Sequence, residues 1–240
     1  MEERGAPAYV AEFIGTFMLV LFIALAVSLT TKEALGFADF VLIGLVHAFA
    51  LAVLVYAVGG TSGAHFNPAV TSTLLALRKI GPADALIYVL MQLAGAVAAV
   101  LVCKVLLLDE GAAANYGAAT PSPLIDGKAS AAFLCEIIGT FTLMWAIMGV
   151  AVNPRGERAI AGWVIGMALG LAVMCFAALD GASFNPARWF GPAVVSGTWT
   201  AAWAYIAGPI AGAALAGFVY KLIVLDPQHK EVDRPVDSLG

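Results

Sequence analysis

Charge is what this sequence has least of. Among its 240 residues only 12% are Asp, Glu, Lys or Arg, about half the usual share of a soluble domain. The 16 acidic residues outnumber the 12 basic ones, giving a net charge of −4, so no cationic surface is on offer to the phosphates of a nucleic acid. Cysteine is scarce as well. Cys103, Cys135 and Cys175 lie in or at the edge of apolar runs, without CxxC or metal-ligand spacing. A disulfide or zinc framework therefore finds little support, and the three are expected as small packing residues. No cleavable signal is expected, because the first apolar run, about 9–29, is long enough to span a bilayer and lacks a small-residue cleavage site. The histidines show no Ser/His/Asp or Cys/His spacing, and no Gly-rich phosphate loop occurs. Nothing here makes or breaks a bond, and neither a cofactor nor a metal is expected.

Apolar residues are abundant, at 62% of the chain with a mean hydropathy of +0.94. A water-soluble fold of this size would leave roughly a quarter of its unfolded surface exposed. Disorder is equally unsuitable, since disordered chains are poor in apolar residues. The chain belongs in a bilayer.

Six apolar runs have the length of a spanning helix: about 8–30, 38–58, 83–108, 130–152, 159–179 and 200–224. Two shorter runs, about 68–78 and 186–196, each open with Pro directly after Asn. At ~1.5 Å per residue, eleven residues cover about 16 Å, half of the hydrocarbon core. Two such segments entering from opposite faces would together cross it. Their loop backbone must be buried by the other helices, because it cannot face lipid unsatisfied.

An internal repeat supports this arrangement. Ala11-Glu12-Phe13-Ile14-Gly15-Thr16-Phe17 is echoed 124 residues on by Cys135-Glu136-Ile137-Ile138-Gly139-Thr140-Phe141, and Asn67-Pro68-Ala69 is echoed 118 on by Asn185-Pro186-Ala187. Each copy, about 8–108 and 130–224, holds three spanning helices, so the second inserts upside down relative to the first. Inverted repeats of this kind meet at the midplane and build sites from broken helices. The expected fold is all-α: six transmembrane helices plus two re-entrant half-helices, one channel domain over 1–240, with an outer connecting loop at 109–129. Lys and Arg placement orients it. With the N-terminus inside, Arg4, Arg78, Lys79, Arg155, Arg158, Lys221, Lys230 and Arg234 are cytoplasmic, against Lys32, Lys104 and Lys128 outside. Both termini, including a polar tail over 226–240, are then cytoplasmic.

The paired Asn-Pro-Ala triplets, the Glu-x-x-Gly-Thr-Phe repeats, the run from Ser62 to Val70 and Asn185-Pro186-Ala187-Arg188 resemble the aquaporin, or major intrinsic protein, family over about 8–224. Asn before Pro is a strong helix start, because Asn caps and Pro needs no N–H at the first position. Capping uses the side-chain oxygen and leaves the amide NH2 free to donate into the path. Two such donors beside the positive ends of helix dipoles would hold a water oxygen and disfavour cations. The resemblance implies this role for Asn67 and Asn185, with carbonyls of Gly63, Ala64, His65, Gly181, Ala182 and Ser183 as an acceptor ladder. His65 resembles the family's cytoplasmic-side pore histidine.

Arg188 is the only Arg inside the apolar part of the chain. Burying a guanidinium costs at least ~2.5 kcal/mol at a helix centre, so function is the default reading. The resemblance makes it the narrow outer filter, with His47, Val173 and Ala182 carried over by spacing from the two Asn residues. That set resembles the plant tonoplast-type branch, whose filter also suits ammonia, and it implies an apolar wall facing donors from His47 and Arg188. Glu12 and Glu136 admit two readings, a proton relay or acceptors for unpaired loop amides, and the second is preferred because buried polar groups must be paired. Gly162, Gly166, Gly170, Gly208 and Gly212 read as close helix contacts.

The expected function is a passive channel for water and a small neutral solute such as ammonia, excluding protons and ions. Trp189 stands where glycerol facilitators typically carry Asp. A glycerol or small-polyol facilitator is the alternative within the family. A secondary transporter, which shares inverted repeats and broken helices, is the alternative outside it. The partners implied are water, small neutral solutes, the lipid bilayer (here the plasma membrane) and three further copies in a homotetramer.

Overall fold

The computed structural model describes residues 4–30 and 36–228. Lys32, Lys230, Arg234 and most of the polar tail lie outside the described residues. Among the described residues nine α-helices follow in chain order: α1 (Ala6–Thr30), α2 (Phe37–Ser62), α3 (Pro68–Ala76), α4 (Pro82–Leu106), α5 (Leu108–Ala113), α6 (Ala129–Ile147), α7 (Ala161–Asp180), α8 (Pro186–Ser196) and α9 (Ala202–Tyr220). Single π-type turns extend α6 to Val152 and α9 to Leu225. Six of these segments are long and apolar enough to cross a membrane, and their limits fall within a few residues of the apolar runs in the sequence. Their outward faces carry side chains such as Val53, Val105, Met167 and Leu222, all exposed and apolar. A helix apolar all round suits burial on one side and lipid on the other.

The chain is an integral, multi-pass membrane protein. Its helices pair as an inverted repeat. In the first half α1 packs on α4 and α2; in the second α6 packs on α9 and α7 in the same way. The half-helices are exchanged: α3 lies against α9 and α8 against α4, so each re-entrant segment is buried partly by the opposite repeat. The most extensive seam joins α2 to α7. It is built from small residues at four-residue spacing, because a Cβ on Gly166 or Gly170 would run into the backbone of Ala48 or Gly44. Gly212 bears on the backbone of Ile137 and Gly208 on Glu136 and Phe133 in the same fashion. Without hydrophobic drive between helices in lipid, such close approach supplies the packing that holds them together.

Two sequence expectations need correction. The stretch 109–129 is a structured connection, not a plain loop: it includes part of α5 and 3-10 turns at Asn115–Gly117 and Pro123–Ile125. Cys103 and Cys135 are buried as expected, but Cys175 is exposed on the outward face of α7.

Candidate functional site: a central path between two half-helices

Each half-helix begins at an Asn-Pro pair. Asn67 caps α3 and Asn185 caps α8 from extended backbone, their Oδ1 atoms accepting the N–H of Ala69 and of Ala187, both at 2.9 Å. Pro68 and Pro186 occupy the first turns, where no N–H is needed. The side-chain amides are not wholly free, as the sequence suggests. Asn67 Nδ2 donates to Phe184 O and Asn185 Nδ2 donates to Phe66 O, each at 2.8 Å. One N–H of each amide thus ties the two loops together across the midplane, and one remains for the path.

Before each Asn the backbone is left-handed three times in four residues: Gly63, Ala64 and Phe66 in one loop, Gly181, Ala182 and Phe184 in the other. Non-glycine residues held there cost roughly 1–2 kcal/mol each, so the surroundings must impose the shape. Glu12 does so in the first repeat, accepting from the N–H groups of His65 (2.9 Å) and Phe66 (2.7 Å), from Ser62 Oγ (2.7 Å) and from Gln92 Nε2 (2.8 Å). Glu136 does so in the second, accepting from the N–H groups of Ser183 and Phe184 at 2.7 Å. Both carboxylates are fully buried. Gly15 and Gly139, three residues further along their helices, leave room for the rings of Phe66 and Phe184, which any Cβ there would overlap. Tyr88 and Tyr205 complete the frame, donating to Ser62 O and Asp180 O at 2.7 Å.

Between the loops lies a narrow cavity lined by Asn67, Asn185, Ala64, His65, Ser183, His47 and Arg188, with Leu19, Ile23, Leu143 and Leu169 among its apolar walls. A wider vestibule, which also touches Arg4, Lys79 and Arg158, shares Ala64, His65 and Val70 with it. His65 Nδ1 lies 3.1 Å from Thr71 Oγ1, and its ring packs edge-on against Tyr88.

Arg188 is held by carbonyls. Its Nη1 donates to Gly117 O at 2.8 Å and its Nη2 to Gly181 O at 3.4 Å, while Nε has no partner among the described residues. Gly181 therefore serves the arginine rather than acting only as a rung of the ladder. His47 Nδ1 lies 2.8 Å from Ile43 O. A carbonyl can only accept, so Nδ1 carries the proton and Nε2 of the neutral ring is an acceptor. That corrects the expectation of a second donor beside Arg188. Nε2, too, has no partner among the described residues. Of the four positions expected to form the filter, His47 and Arg188 line the cavity; Val173 and Ala182 are fully buried in an apolar cluster that shares Leu19, Leu143 and Leu169 with its walls.

Comparison with known proteins decides the family. The model of the major intrinsic protein family matches residues 3–220. The chain belongs to the major intrinsic protein family. It is 38% identical to a glycerol uptake facilitator-like protein of Lactiplantibacillus plantarum over 90% of this chain and 97% of that one. Aquaporin AqpM of Methanothermobacter thermautotrophicus is 37% identical over 89% of this chain and 96% of its own. A probable TIP-type aquaporin of Antirrhinum majus is also 37% identical, over 89% and 85%. The aquaglyceroporin of Plasmodium falciparum has the same fold, with a TM-score of 0.75 at 22% identity over 94% of this chain and 98% of that one. This is a channel protein of that family.

Several residues of the site escape reading from the sequence. Gly117 O reaches Arg188 from a connection whose conformation no local pattern specifies. The carbonyls of Phe66 and Phe184 are invisible as partners until the loops are seen face to face. Asp180 and Tyr205 had a usable signal. They stand 118 and 117 residues after Ser62 and Tyr88, the offset that relates the two Asn residues.

Proposed function

We propose that the protein is a passive, bidirectional channel for water and for a small neutral solute such as ammonia, and that it excludes protons and ions. The observation that carries this reading is the pairing of two unspent groups on the cavity wall. Arg188 Nε is a donor and His47 Nε2 an acceptor, each buried and without a partner among the described residues. Water can satisfy both by accepting from one and donating to the other, and ammonia can do the same. Leu19, Ile23, Leu143 and Leu169 make much of the remaining wall apolar, so a solute must shed part of its hydration to pass. That penalises ions far more than water or ammonia. A cation would in addition meet the fixed charge of Arg188 and the positive ends of α3 and α8 at the midplane. The remaining N–H of Asn67 and of Asn185 would orient a water there and interrupt a proton-conducting file.

A glycerol-conducting reading also has support, from the printed name of the Lactiplantibacillus relative. Trp189 is stacked flat on Tyr205 and fully buried behind the half-helix, so it does not replace the lost carboxyl of glycerol facilitators with another polar group. Residues 1–240 act as one channel domain in a plasma membrane. Both termini are cytoplasmic, and one pore serves each subunit of a homotetramer, as the family resemblance implies. Stopped-flow light scattering on reconstituted vesicles tests the reading. Water and ammonia should both exceed empty vesicles severalfold, with glycerol near background. Glycerol flux comparable to water flux would favour the facilitator reading instead.

A further inference from the structure

The two carboxylates that anchor the re-entrant loops are not held alike. Glu12 receives four donors, from Ser62, His65, Phe66 and Gln92. Glu136 receives two, from Ser183 and Phe184. The missing pair can be traced through the internal repeat. Pro209 stands 117 residues after Gln92 and has no side-chain donor. Asp180 stands 118 after Ser62, so a hydroxyl has been replaced by a carboxyl.

Part of the serine's work is preserved. Ser62 Oγ accepts the N–H of Ala64 at 3.0 Å, and Asp180 Oδ1 accepts the N–H of Ala182 at 2.9 Å. The other part is not. Ser62 also donates to Glu12, whereas an ionised Asp180 has nothing to donate to Glu136. Asp180 is fully buried and its Oδ2 meets no donor among the described residues, while adjacent amides of one loop hold the two carboxyls, Ala182 donating to Asp180 Oδ1 at 2.9 Å and Ser183 to Glu136 Oε1 at 2.7 Å. Two ionised carboxylates in that position would oppose each other in a low-dielectric interior, as in other carboxyl pairs that retain a proton.

We propose that Asp180 and Glu136 share one proton, so that the pair carries a single negative charge that counterbalances Arg188 and fixes the loop from which Gly181 holds it. The shared proton supplies the donor that Ser62 supplies in the first repeat. Asp180 is thereby a positioning residue: its own carbonyl takes the Tyr205 hydroxyl at 2.7 Å, and the next carbonyl along, that of Gly181, takes Arg188 Nη2. The groups facing the pair are Cys135 from α6, Arg188 from α8 and Tyr205 from α9, with His47 of α2 near Arg188. Of these only Arg188 is a standing cation. One shared proton leaves the cluster electrically balanced, as a serine at position 180 would.

The role given to Arg188 rests on the channel reading, but the primary test does not involve permeation. Infrared spectroscopy of the full chain in lipid vesicles should show the carbonyl stretch of a protonated carboxyl at neutral pH. Asp180→Ser restores the first-repeat pattern, and its hydroxyl would donate to Glu136, so that band should disappear. Asp180→Asn supplies an amide donor at the same place and should also remove it, which covers the case in which one variant folds poorly. Absence of the band in the wild type, or its survival in both variants, overturns the proposal.

Discussion

Arg188 is a buried cation held chiefly by neutral carbonyls. Its guanidinium planes against Gly117 O and Gly181 O, an arrangement that a lysine's single ammonium could not reproduce. Arg188→Val deletes the fixed charge and the unpaired Nε donor of a cavity-lining side chain. Urea and potassium entry should rise severalfold while water flux persists, measured by swelling and flux assays on folded protein. Unchanged selectivity would place the filter elsewhere. His47 makes the opposite contribution, an acceptor on an otherwise apolar wall. In His47→Phe that acceptor is lost and the ring is larger, so ammonia flux should fall more steeply than water flux, as read from the rate of internal alkalinisation. Glu12 acts at one remove from the path. Hydrogen bonds to an ionised group are worth about 1.5–3 kcal/mol each, and Glu12→Gln removes the charge behind four of them. A melting temperature lowered by about 5–10 °C is expected in detergent, together with loss of most water flux as the loop relaxes.

At the scale of the elements, two short helices are set by features on either side of them. Their starts were legible: Asn and Pro mark both caps, and the structure begins α3 at Pro68 and α8 at Pro186. Their ends and the six spans follow from the length of the apolar runs. What the sequence could not convey is the mutual arrangement of the loops, because it depends on contacts 117 and 119 residues apart, between Asn67 and Phe184 and between Asn185 and Phe66. The conformation of α5 and the turn at Asn115–Gly117 was illegible for a different reason. That stretch has no counterpart in the first repeat and no period to read. Gly139 offers a stability test of the loop–helix fit, since a Cβ there would overlap the Phe184 ring. Overpacking of this kind costs typically 1–3 kcal/mol, so Gly139→Ala should lower the melting temperature. Gly60→Ala in α2 is the matched control, because nothing lies within 4 Å of the added Cβ. It should be neutral or stabilising by about 0.5–1 kcal/mol. Equal effects at the two sites would contradict the packing account.

For the whole molecule, the inverted repeat turns two copies of one plan into a single path with unequal ends. Exchange of α3 and α8 between halves makes each loop depend on the other repeat, so neither half is expected to form the path alone. The symmetry is broken at the cavity: Arg188 has Val70 at the corresponding place 118 residues earlier, and Asp180 answers Ser62. Of the site, the residues at the repeated triplets were readable because the repetition itself is improbable, whereas the tautomer of His47 and the binding of Arg188 to Gly117 required coordinates. The central claim is that water passes and charge does not. It is tested most directly by recording water permeability and proton flux in the same reconstituted vesicles across a range of protein-to-lipid ratios. Water permeability should rise in proportion to protein while proton flux stays at the level of empty vesicles. A proton flux that scales with water permeability would contradict the account.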